Sequence, residues 1–252
     1  MLFRNPDMDR AFDFIRTTDF DVFCIQETPE PFVERLRTLP FHIDAAIEME
    51  QRYDDRAVTR YLVVLSRYPL TKVAHVPLPP LNSMRTWRAY FFIRFMTLIR
   101  VWGEGTGNRH SQVVDLALPE GVVRIFNLHL PLLTPTHRLQ EFELALAERD
   151  PLLPTIVCGD FNVLEHPRIT ILTWLFGGSL MDAIRYKLER TRIEECFVEH
   201  QLTNVLRGKK THAISASQLD HILVSHHFGL TEARVIPDAY GSDHQPIFAA
   251  VA

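Results

Sequence analysis

A short polar sequence, Gly159-Asp160-Phe161-Asn162, comes just after an apolar run at residues 152–157. The run is rich in β-branched residues, which predicts a buried strand with the polar residues at its carboxyl end. Asp160 and Asn162 face the same side if the backbone stays extended. A carboxylate beside an amide suits a metal-bound phosphate, because the carboxylate handles the cation or a water and the amide donates to a phosphoryl oxygen. An ordinary turn is the alternative, since Asp and Asn are common turn residues.

Four further polar clusters lie where other strand-like runs begin or end. They are Glu27, the pair Asn127 and His129, the residue Asp220, and the sequence Gly241-Ser242-Asp243-His244. A carboxylate at the end of a strand is a natural ligand for Mg²⁺, which binds one or two carboxylates together with waters and phosphate oxygens. Each cluster alone is equally well explained as a surface loop or a structural histidine. Their conjunction indicates a phosphate-handling site.

The surrounding sequence predicts the elements that must position these clusters. Asp7 is placed to cap a helix whose apolar residues recur at helical spacing from Met8 to Ile15. Strands at 112–118 and 122–128 are separated by a Pro-Glu-Gly turn, which predicts a hairpin. Strands and helices alternate without a strict βαβ order, so we expect packed sheets with helices outside them rather than a doubly wound parallel sheet.

In their order and approximate spacing, the motifs resemble those of the endonuclease/exonuclease/phosphatase superfamily, which has the deoxyribonuclease I-like fold. The matching motifs are Gln26-Glu27, Asn127-Leu128-His129, Gly159-Asp160-Phe161-Asn162, Leu219-Asp220-His221-Ile222 and Gly241-Ser242-Asp243-His244. The resemblance spans nearly the whole chain, so we expect a single domain at residues 1–252. It implies a four-layered α/β sandwich, in which two packed mixed sheets are flanked by helices. It also implies a Mg²⁺-dependent phosphoesterase site between the sheets.

The resemblance assigns two residues to the metal. Glu27 would ligate Mg²⁺, with Mn²⁺ as the alternative ion, and Asp243 would assist as a ligand or through a water. Whether one or two ions bind is left open by the sequence.

The resemblance assigns five residues to catalysis. His244, oriented by Asp220, would act near the attacked phosphorus as a base or a charge stabiliser. Asp160 would position or deprotonate the attacking water, so the identity of the base is open between Asp160 and His244. Asn162 and His129 would donate to non-bridging phosphoryl oxygens.

One motif of the family has no match. The family begins with a strand that ends in an Asn supporting the metal site, and the usual spacing back from Glu27 would place that Asn at or just before Met1. We therefore expect the first strand to be missing, with Asn5 as no substitute for the family's Asn. An alternative function follows, namely a binding module that keeps the fold but lacks a complete metal site.

The charge of the chain does not select a substrate. Lys and Arg number 27 against 31 Asp and Glu, a formal net charge of -4, so no global basic field indicates nucleic acid. A locally basic region at residues 185–210 has two equally good interpretations, a phosphate-rich partner or a solvated helix face. The expected partner is a phosphate ester, with nucleic acid, inositol phosphate and phospholipid all open. The sequence gives no oligomeric state.

The three cysteines are far apart and lie partly in apolar runs, which favours free thiols in a reducing compartment. No signal peptide is evident, so we expect a cytoplasmic protein. Residues 87–102 are dense in aromatic and aliphatic side chains, but the stretch is short and arginines interrupt it, so we expect no stable membrane insertion. Its alternation of apolar and polar residues predicts a half-buried strand or a hairpin.

Overall fold

The computed structural model describes residues 5–53, 56–80, 86–99, 103–166, 169–185, 187–212 and 215–252. The strands in chain order are β1 Val22–Pro29, β2 His42–Tyr53, β3 Arg56–Ser66, β4 Leu70–Pro77, β5 Glu104–Leu118, β6 Gly121–His129, β7 Thr155–Asp160, β8 Leu202–Asn204, β9 Asp220–Ser225, β10 Leu230–Val235 and β11 Ile247–Val251. The helices are α1 Met8–Thr17, α2 Glu30–Leu36, α3 Trp87–Leu98, α4 Pro135–Ala145, α5 Ile171–Leu175, α6 Leu180–Ile184 and α7 Lys187–Glu199.

Nine of these strands form one large sheet. Its order is β1-β3-β2-β5-β6-β7-β9-β8, with β4 also paired to β5, while β10 and β11 form a separate antiparallel pair. The pairing of β6 with β7 is parallel and the other pairings in the large sheet are antiparallel. The predicted hairpin is confirmed, since Gln112 pairs with Asn127 and Leu118 with Gly121.

The large sheet curls so that its two halves face each other. Strand β5 pairs with β2 through its first part and with β4 and β6 through its second part. Buried side chains of β3, β5 and β6, including Val64, Val114 and Ile125, form an apolar cluster between the halves, and the partly buried Cys24 and Cys158 pack against it. This packing brings the ends of β1, β6 and β7 together.

Helices cover the outer faces of the sheet. Helices α1 and α2 pack on β1 and β3, whereas α4 and α7 pack on the half that contains β6 and β7. The predicted N-terminal cap is confirmed, because the Asp7 side chain accepts a hydrogen bond from the backbone nitrogen of Arg10. The mixed α/β fold with helices outside is likewise confirmed. The division into four layers stays a prediction, and so does the single domain.

The strand predicted at residues 87–102 is wrong, because residues 87–98 form helix α3. The Thr86 side chain caps this helix by accepting a hydrogen bond from the backbone nitrogen of Ala89. Apolar residues lie on every side of the helix, so the alternation of apolar and polar residues in the sequence could not distinguish a strand from a helix. Residues 100–102 of the predicted strand lie outside the described part of the chain. No helix among the described residues is both long and apolar enough to cross a membrane.

A cavity of about 520 Å³ lies between β10–β11 and the inner face of the large sheet. Apolar side chains of several strands line it, among them Ile125, Ile156, Ile222 and Ile247. The expectation that the family's first strand is missing falls partly on residues 1–4, which lie outside the described residues, and it stays a prediction. The described chain passes from Asn5 directly into α1.

Candidate active site

Glu27 is presented by an irregularity in strand β1. The pairing of β1 with β3 shifts register between Ile25 and Thr28, and Glu27 has a φ of 53°, a left-handed conformation that is uncommon for a residue other than glycine. A bulge of this kind turns a side chain away from its regular position in a strand. The backbone nitrogen of Glu27 donates to the Glu48 carboxylate at 2.5 Å, which holds the bulge in place.

Glu48 is the centre of a first group of side chains. It is 3% exposed in the middle of β2, and its Oε1 lies 2.7 Å from Nδ1 of His129. Ligand atoms of Glu27, Glu48 and His129 all lie within 4.8 Å of one another. Two carboxylates and an imidazole therefore converge at the carboxyl end of β6.

Arg60 is a fourth charged member of this group. Its guanidinium donates to Oε1 of Glu27 at 2.5 Å and also to the side chain of Gln51, and Arg60 is 5% exposed. A buried carboxylate needs a compensating charge. Arg60 supplies that charge for Glu27 without any metal ion.

Asp160 and Asn162 are fixed by the turn after β7. Asp160 is fully buried, and its Oδ1 accepts from the backbone nitrogen of Asn162 at 2.8 Å. Its Oδ2 has no hydrogen-bond partner among the described residues, although it lies 3.6 Å from Nε2 of His129. The Asn162 amide donates to the backbone oxygen of Leu130 at 2.9 Å and lies 3.1 Å from Nε2 of His129.

Gly159 is required at the end of β7 by a close approach of the backbone. Its φ is 138°, and a Cβ at this position would lie 1.9 Å from the backbone oxygen of Leu128. Any other residue would push β7 away from β6, because a real Cβ does not approach a backbone oxygen so closely. The glycine thus keeps His129 and Asp160 in their paired positions at the ends of these strands.

A second group lies beside the first. His244 Nδ1 is 2.8 Å from Oδ2 of Asp220, and ligand atoms of Asp160, Asp220 and His244 lie within 4.8 Å of one another. His212 packs its ring 4.7 Å from that of His244. The short contact between His129 and Asp160 joins the two groups into one site.

Burial and ion pairing set the charges of the first group. Burial raises the pKa of Glu27, and the nearby Glu48 carboxylate adds to the rise, against the attraction of Arg60. Burial also acts to raise the pKa of Glu48, but the ion pair and hydrogen bond with His129 hold it below its ordinary value. Burial opposes the charged imidazole, yet Glu48, with Asp160 and Glu27, raises the pKa of His129 to about 9.

Burial and ion pairing also set the charges of the second group. Burial raises the pKa of Asp160, and the neighbouring His244 and His129 oppose the rise. Burial acts to raise the pKa of Asp220, but the attraction of His244 lowers it. Burial acts against a charged His244, but Asp220 raises the pKa of His244. The second group therefore favours an imidazolium paired with a carboxylate.

The structure brings six of the residues predicted from the sequence together: Glu27, His129, Asp160, Asn162, Asp220 and His244. Asp243, the predicted second metal ligand, lies in a group with His212 and His244 rather than in the group that contains Glu27. Asn5 is buried against Gly241, where its amide donates to the backbone oxygen of Tyr240 and its Oδ1 accepts from the backbone nitrogen of Asp7.

Sequence reasoning missed Glu48, Arg60 and His212. Glu48 was missed because β2 itself was not predicted. The signal was present, since Ile43, Ala45, Ile47 and Met49 recur at every second position with Glu48 between them. Arg60 and His212 belong to none of the sequence motifs, so nothing in the sequence singled them out.

The residues present fit a divalent metal ion. The carboxylates of the buried Glu48 and the largely buried Glu27 lie within 4.8 Å of each other and supply oxygen ligands of the kind that Mg²⁺ and Mn²⁺ prefer. Burial is the main cause that raises the pKa of Glu27, and a cation beside its carboxylate would oppose that rise. The unpartnered Oδ2 of Asp160 leaves a place for a polar atom beside this group.

A model of the Endonuclease/Exonuclease/phosphatase family matches residues 1–244. No curated protein sequence matches the chain.

Several solved structures have a similar fold. An endonuclease/exonuclease/phosphatase from Beutenbergia cavernae DSM 12333 is 16% identical with a TM-score of 0.67, and the match covers 97% of this chain and 66% of that chain. A family protein from Leptotrichia buccalis is 12% identical with a TM-score of 0.66, over 100% of this chain and 95% of that one. A 3′ phosphatase from Neisseria, solved with a product DNA hairpin, is 12% identical with a TM-score of 0.59, over 98% and 95%. At these identities, the likeness shows the fold alone.

Proposed function

Because the chain belongs to the endonuclease/exonuclease/phosphatase family, whose members are hydrolases acting on ester bonds, we propose that it cleaves a phosphate ester by metal-assisted attack of water. The observation that carries the proposal is the state of Asp160. Its carboxylate is fully buried, and Oδ2 has no hydrogen-bond partner among the described residues while it faces His129. A buried carboxylate oxygen without a hydrogen-bond partner is costly, which favours a role for this atom in binding a water or a substrate.

The attacking water is assigned to Asp160. Oδ1 is already held by the backbone of Asn162, so Oδ2 is the atom that accepts a hydrogen bond from the water and takes its proton. The burial that raises the pKa of Asp160 makes it a stronger base than an exposed carboxylate.

The remaining polar groups bind the phosphoryl group. Asp220 holds Nδ1 of His244, which leaves Nε2 of His244 to donate to a phosphoryl oxygen. The imidazole of His129 and the amide of Asn162 donate to the other non-bridging oxygens, in agreement with the roles predicted from the motifs. Donors fixed in this way need no reorganisation during the reaction.

Glu27 and Glu48 are the residues that would hold the metal ion, with Mg²⁺ as the expected ion and Mn²⁺ as the alternative. Asp243, the other ligand expected from the sequence, lies instead in the neighbouring group with His212 and His244. When bound, the ion would offset the negative charge on the phosphoryl oxygens and the leaving oxygen. Arg60 would have to release Oε1 of Glu27 for that oxygen to be free for the ion.

The substrate class stays open among nucleic acid, inositol phosphate and phospholipid. The Neisseria protein of similar fold is a phosphatase solved with DNA, which supports including nucleic-acid ends among the candidates. The basic region at 185–210 gives less support, because Arg190 is used within the protein. It donates to the Glu165 carboxylate at 2.9 Å and to the backbone oxygen of Gln218 at 2.7 Å.

A specific observation also favours the alternative function, a binding module without a competent metal site. The ion pair between Arg60 and Glu27 satisfies the carboxylate that the metal requires, and both side chains are largely buried. An arginine in this position can replace the cation and leave a site that binds phosphate esters without hydrolysing them.

A substrate panel tests the proposed function. Hydrolysis of bis-p-nitrophenyl phosphate, oligonucleotides, inositol phosphates and phospholipid head groups is measured with Mg²⁺, with Mn²⁺ and with EDTA. We expect turnover of at least one substrate with metal and none with EDTA. Absence of metal-dependent turnover on the whole panel contradicts the proposal.

Calorimetric titration with Mg²⁺ separates the two functions. An enzyme site binds Mg²⁺, and Glu27→Ala abolishes that binding, whereas Glu34→Ala, a change at an exposed glutamate of α2, leaves it unchanged. A protein that binds no Mg²⁺ yet binds a phosphate ester supports the binding module instead.

A further inference from the structure

The surface formed by α3 and the α5–α6 segment is unusually apolar. We call it the helical patch and define it as residues 86–99 and 169–185. Its most exposed large side chains are Leu98 at 79%, Trp87 at 75%, Phe91 at 62%, Ile184 at 61% and Phe95 at 56%. Large apolar surfaces of this kind mark interaction sites on soluble proteins.

The helical patch is a built surface, because its two segments are packed together. Arg88 donates to the backbone oxygen of Gly178 at 2.9 Å, and its guanidinium lies 4.3 Å from the centre of the Trp174 ring. Phe92 and Phe176 meet edge to face, with ring centres 5.1 Å apart. These contacts bury one side of α3 and leave its opposite side to solvent.

The topology places the helical patch at the edge of the sheet that carries the active site. Helix α3 lies between the end of β4 and the start of β5, and Pro77 pairs with His110 there. Helices α5 and α6 are the next helices in the chain after β7, and α5 begins at Ile171. Because β5 runs antiparallel to β6, its first residues lie at the same edge as His129.

The charge of the helical patch is opposite to that of the whole chain. Residues 86–99 contain Arg88 and Arg94 and no acidic residue, and residues 169–185 contain Arg185 against Asp182. The patch thus has three basic residues and one acidic residue, in a chain whose formal net charge is -4. Arg88 packs on Trp174, whereas Arg94 and Arg185 are exposed. Aromatic and aliphatic side chains combined with basic ones complement the surface of an anionic lipid bilayer.

The length of α3 fixes how it can meet a bilayer. Its 12 residues extend about 18 Å, whereas the hydrocarbon core is about 30 Å thick. The helix can therefore lie in the interface with its apolar side chains among the acyl chains, as interfacial helices do. Trp87 and Tyr90 suit the level of the head groups, where both residue types are enriched.

We propose that the helical patch docks this protein reversibly on an anionic phospholipid bilayer, with the active site opening toward the membrane surface. The inference does not depend on the proposed hydrolysis, since docking needs only the exposed side chains and their charge. The exposed Trp87 and Tyr90 and the basic character of the patch in an acidic chain favour the bilayer. A second protein is an alternative outcome of the test below, since aromatic residues and arginine are also enriched at protein interfaces.

Co-sedimentation with vesicles tests the proposal without measuring turnover, so its outcome is separate from that of the substrate panel. The full chain is mixed with vesicles of phosphatidylcholine alone, or of equal parts phosphatidylcholine and phosphatidylglycerol. We expect binding to the anionic vesicles that is weakened by salt. The combined variant Phe91→Ser, Phe95→Ser and Leu98→Ser is expected to bind at least about tenfold more weakly.

A matched control carries the same chemical change away from the helical patch. Leu152, Val198 and Leu230 are 84%, 74% and 50% exposed, and their combined replacement by Ser should leave vesicle binding unchanged. Arg94→Glu should remove the preference for anionic vesicles. Thermal unfolding of each variant confirms that it is folded.

Three outcomes overturn the proposal. The wild-type chain could fail to sediment with anionic vesicles, or the patch variant could bind them as well as the wild type does. Size-exclusion chromatography could instead show a self-association that the patch variant removes, without any vesicle binding, which would assign the helical patch to a protein interface.

Discussion

Replacing Glu48 by Gln tests the electrostatics of the active site. Glu48 faces His129 at 2.7 Å and accepts from the backbone of Glu27 at 2.5 Å, and Gln has nearly the same shape without the charge. Burial disfavours a charged His129, and in the variant only the carboxylates of Asp160 and Glu27 oppose it. We therefore expect the pKa of His129 to fall well below the value of about 9 in the wild type.

The effect on the stability of the folded protein follows from the pKa of His129. A rise from 6.5 to about 9 corresponds to about 3 kcal/mol of preference for the charged imidazole in the folded protein. Since the folded pKa lies above the unfolded one, this stability is fully present below about pH 6.5 and is lost as the pH rises through about 9. The wild type should lose up to about 3 kcal/mol over this range, and Glu48→Gln should lose much less.

The assay has two parts, both with EDTA present so that no metal ion competes for Glu48. Proton NMR of the imidazole C–H follows the titration of His129, with His129→Gln to assign the resonance. Urea unfolding measures the stability at about pH 6 and about pH 9.5, on either side of the predicted loss. Glu143→Gln is the matched control, because it removes the carboxylate of another glutamate–histidine pair, 2.9 Å from Nε2 of His200 at the surface. A wild-type His129 that titrates near 6.5, or an equal pKa in wild type and Glu48→Gln, refutes the reasoning.

Two further predictions concern the packing and the site. Arg138→Met should destabilise the protein by about 3–5 kcal/mol, because it leaves the buried carboxylate of Glu189 without its bidentate partner. Urea unfolding measures this loss of stability. The double variant Arg138→Met with Glu189→Gln should recover part of the loss. A loss below about 1 kcal/mol would contradict the burial of this pair. Asp220→Asn should lower kcat by about a hundredfold or more with little change in KM, since His244 loses the partner that orients it. Steady-state kinetics measures both constants. Equal kcat values for the wild type and Asp220→Asn would argue against that role of Asp220.

Motifs allowed much of the site to be predicted from the sequence. Glu27, Asp160 and His244 lie in separate strands and loops, and no local rule places them together. The family resemblance supplied that information, because the order of the motifs encodes which strands are neighbours. The structure supports the convergence and adds the contacts that hold each residue.

Some features of the fold and of the site could not be predicted from the sequence, for physical reasons. Helix α3 was predicted as a strand because its apolar residues surround the helix, so hydrophobic periodicity could not distinguish a period of two from one of 3.6. The choice of helix over strand in this segment depends on its packing against α5 and on the cap that Thr86 provides. Arg60 acts through a contact with Glu27 that lies 33 residues away in the sequence, which only the fold can reveal.

The central claim is that Asp160 activates the water that attacks a phosphate ester. The most direct test compares the metal-dependent hydrolysis rate of the wild type with that of Asp160→Asn, on the substrate that the panel identifies. Asp150→Asn is the matched control, because Asp150 also accepts a hydrogen bond from the backbone nitrogen two residues on but is exposed and distant in sequence from the motifs. We expect Asp160→Asn to lower kcat by about 10²–10⁴ with the fold intact, and Asp150→Asn to leave it unchanged. A rate for Asp160→Asn equal to that of the wild type would contradict the claim.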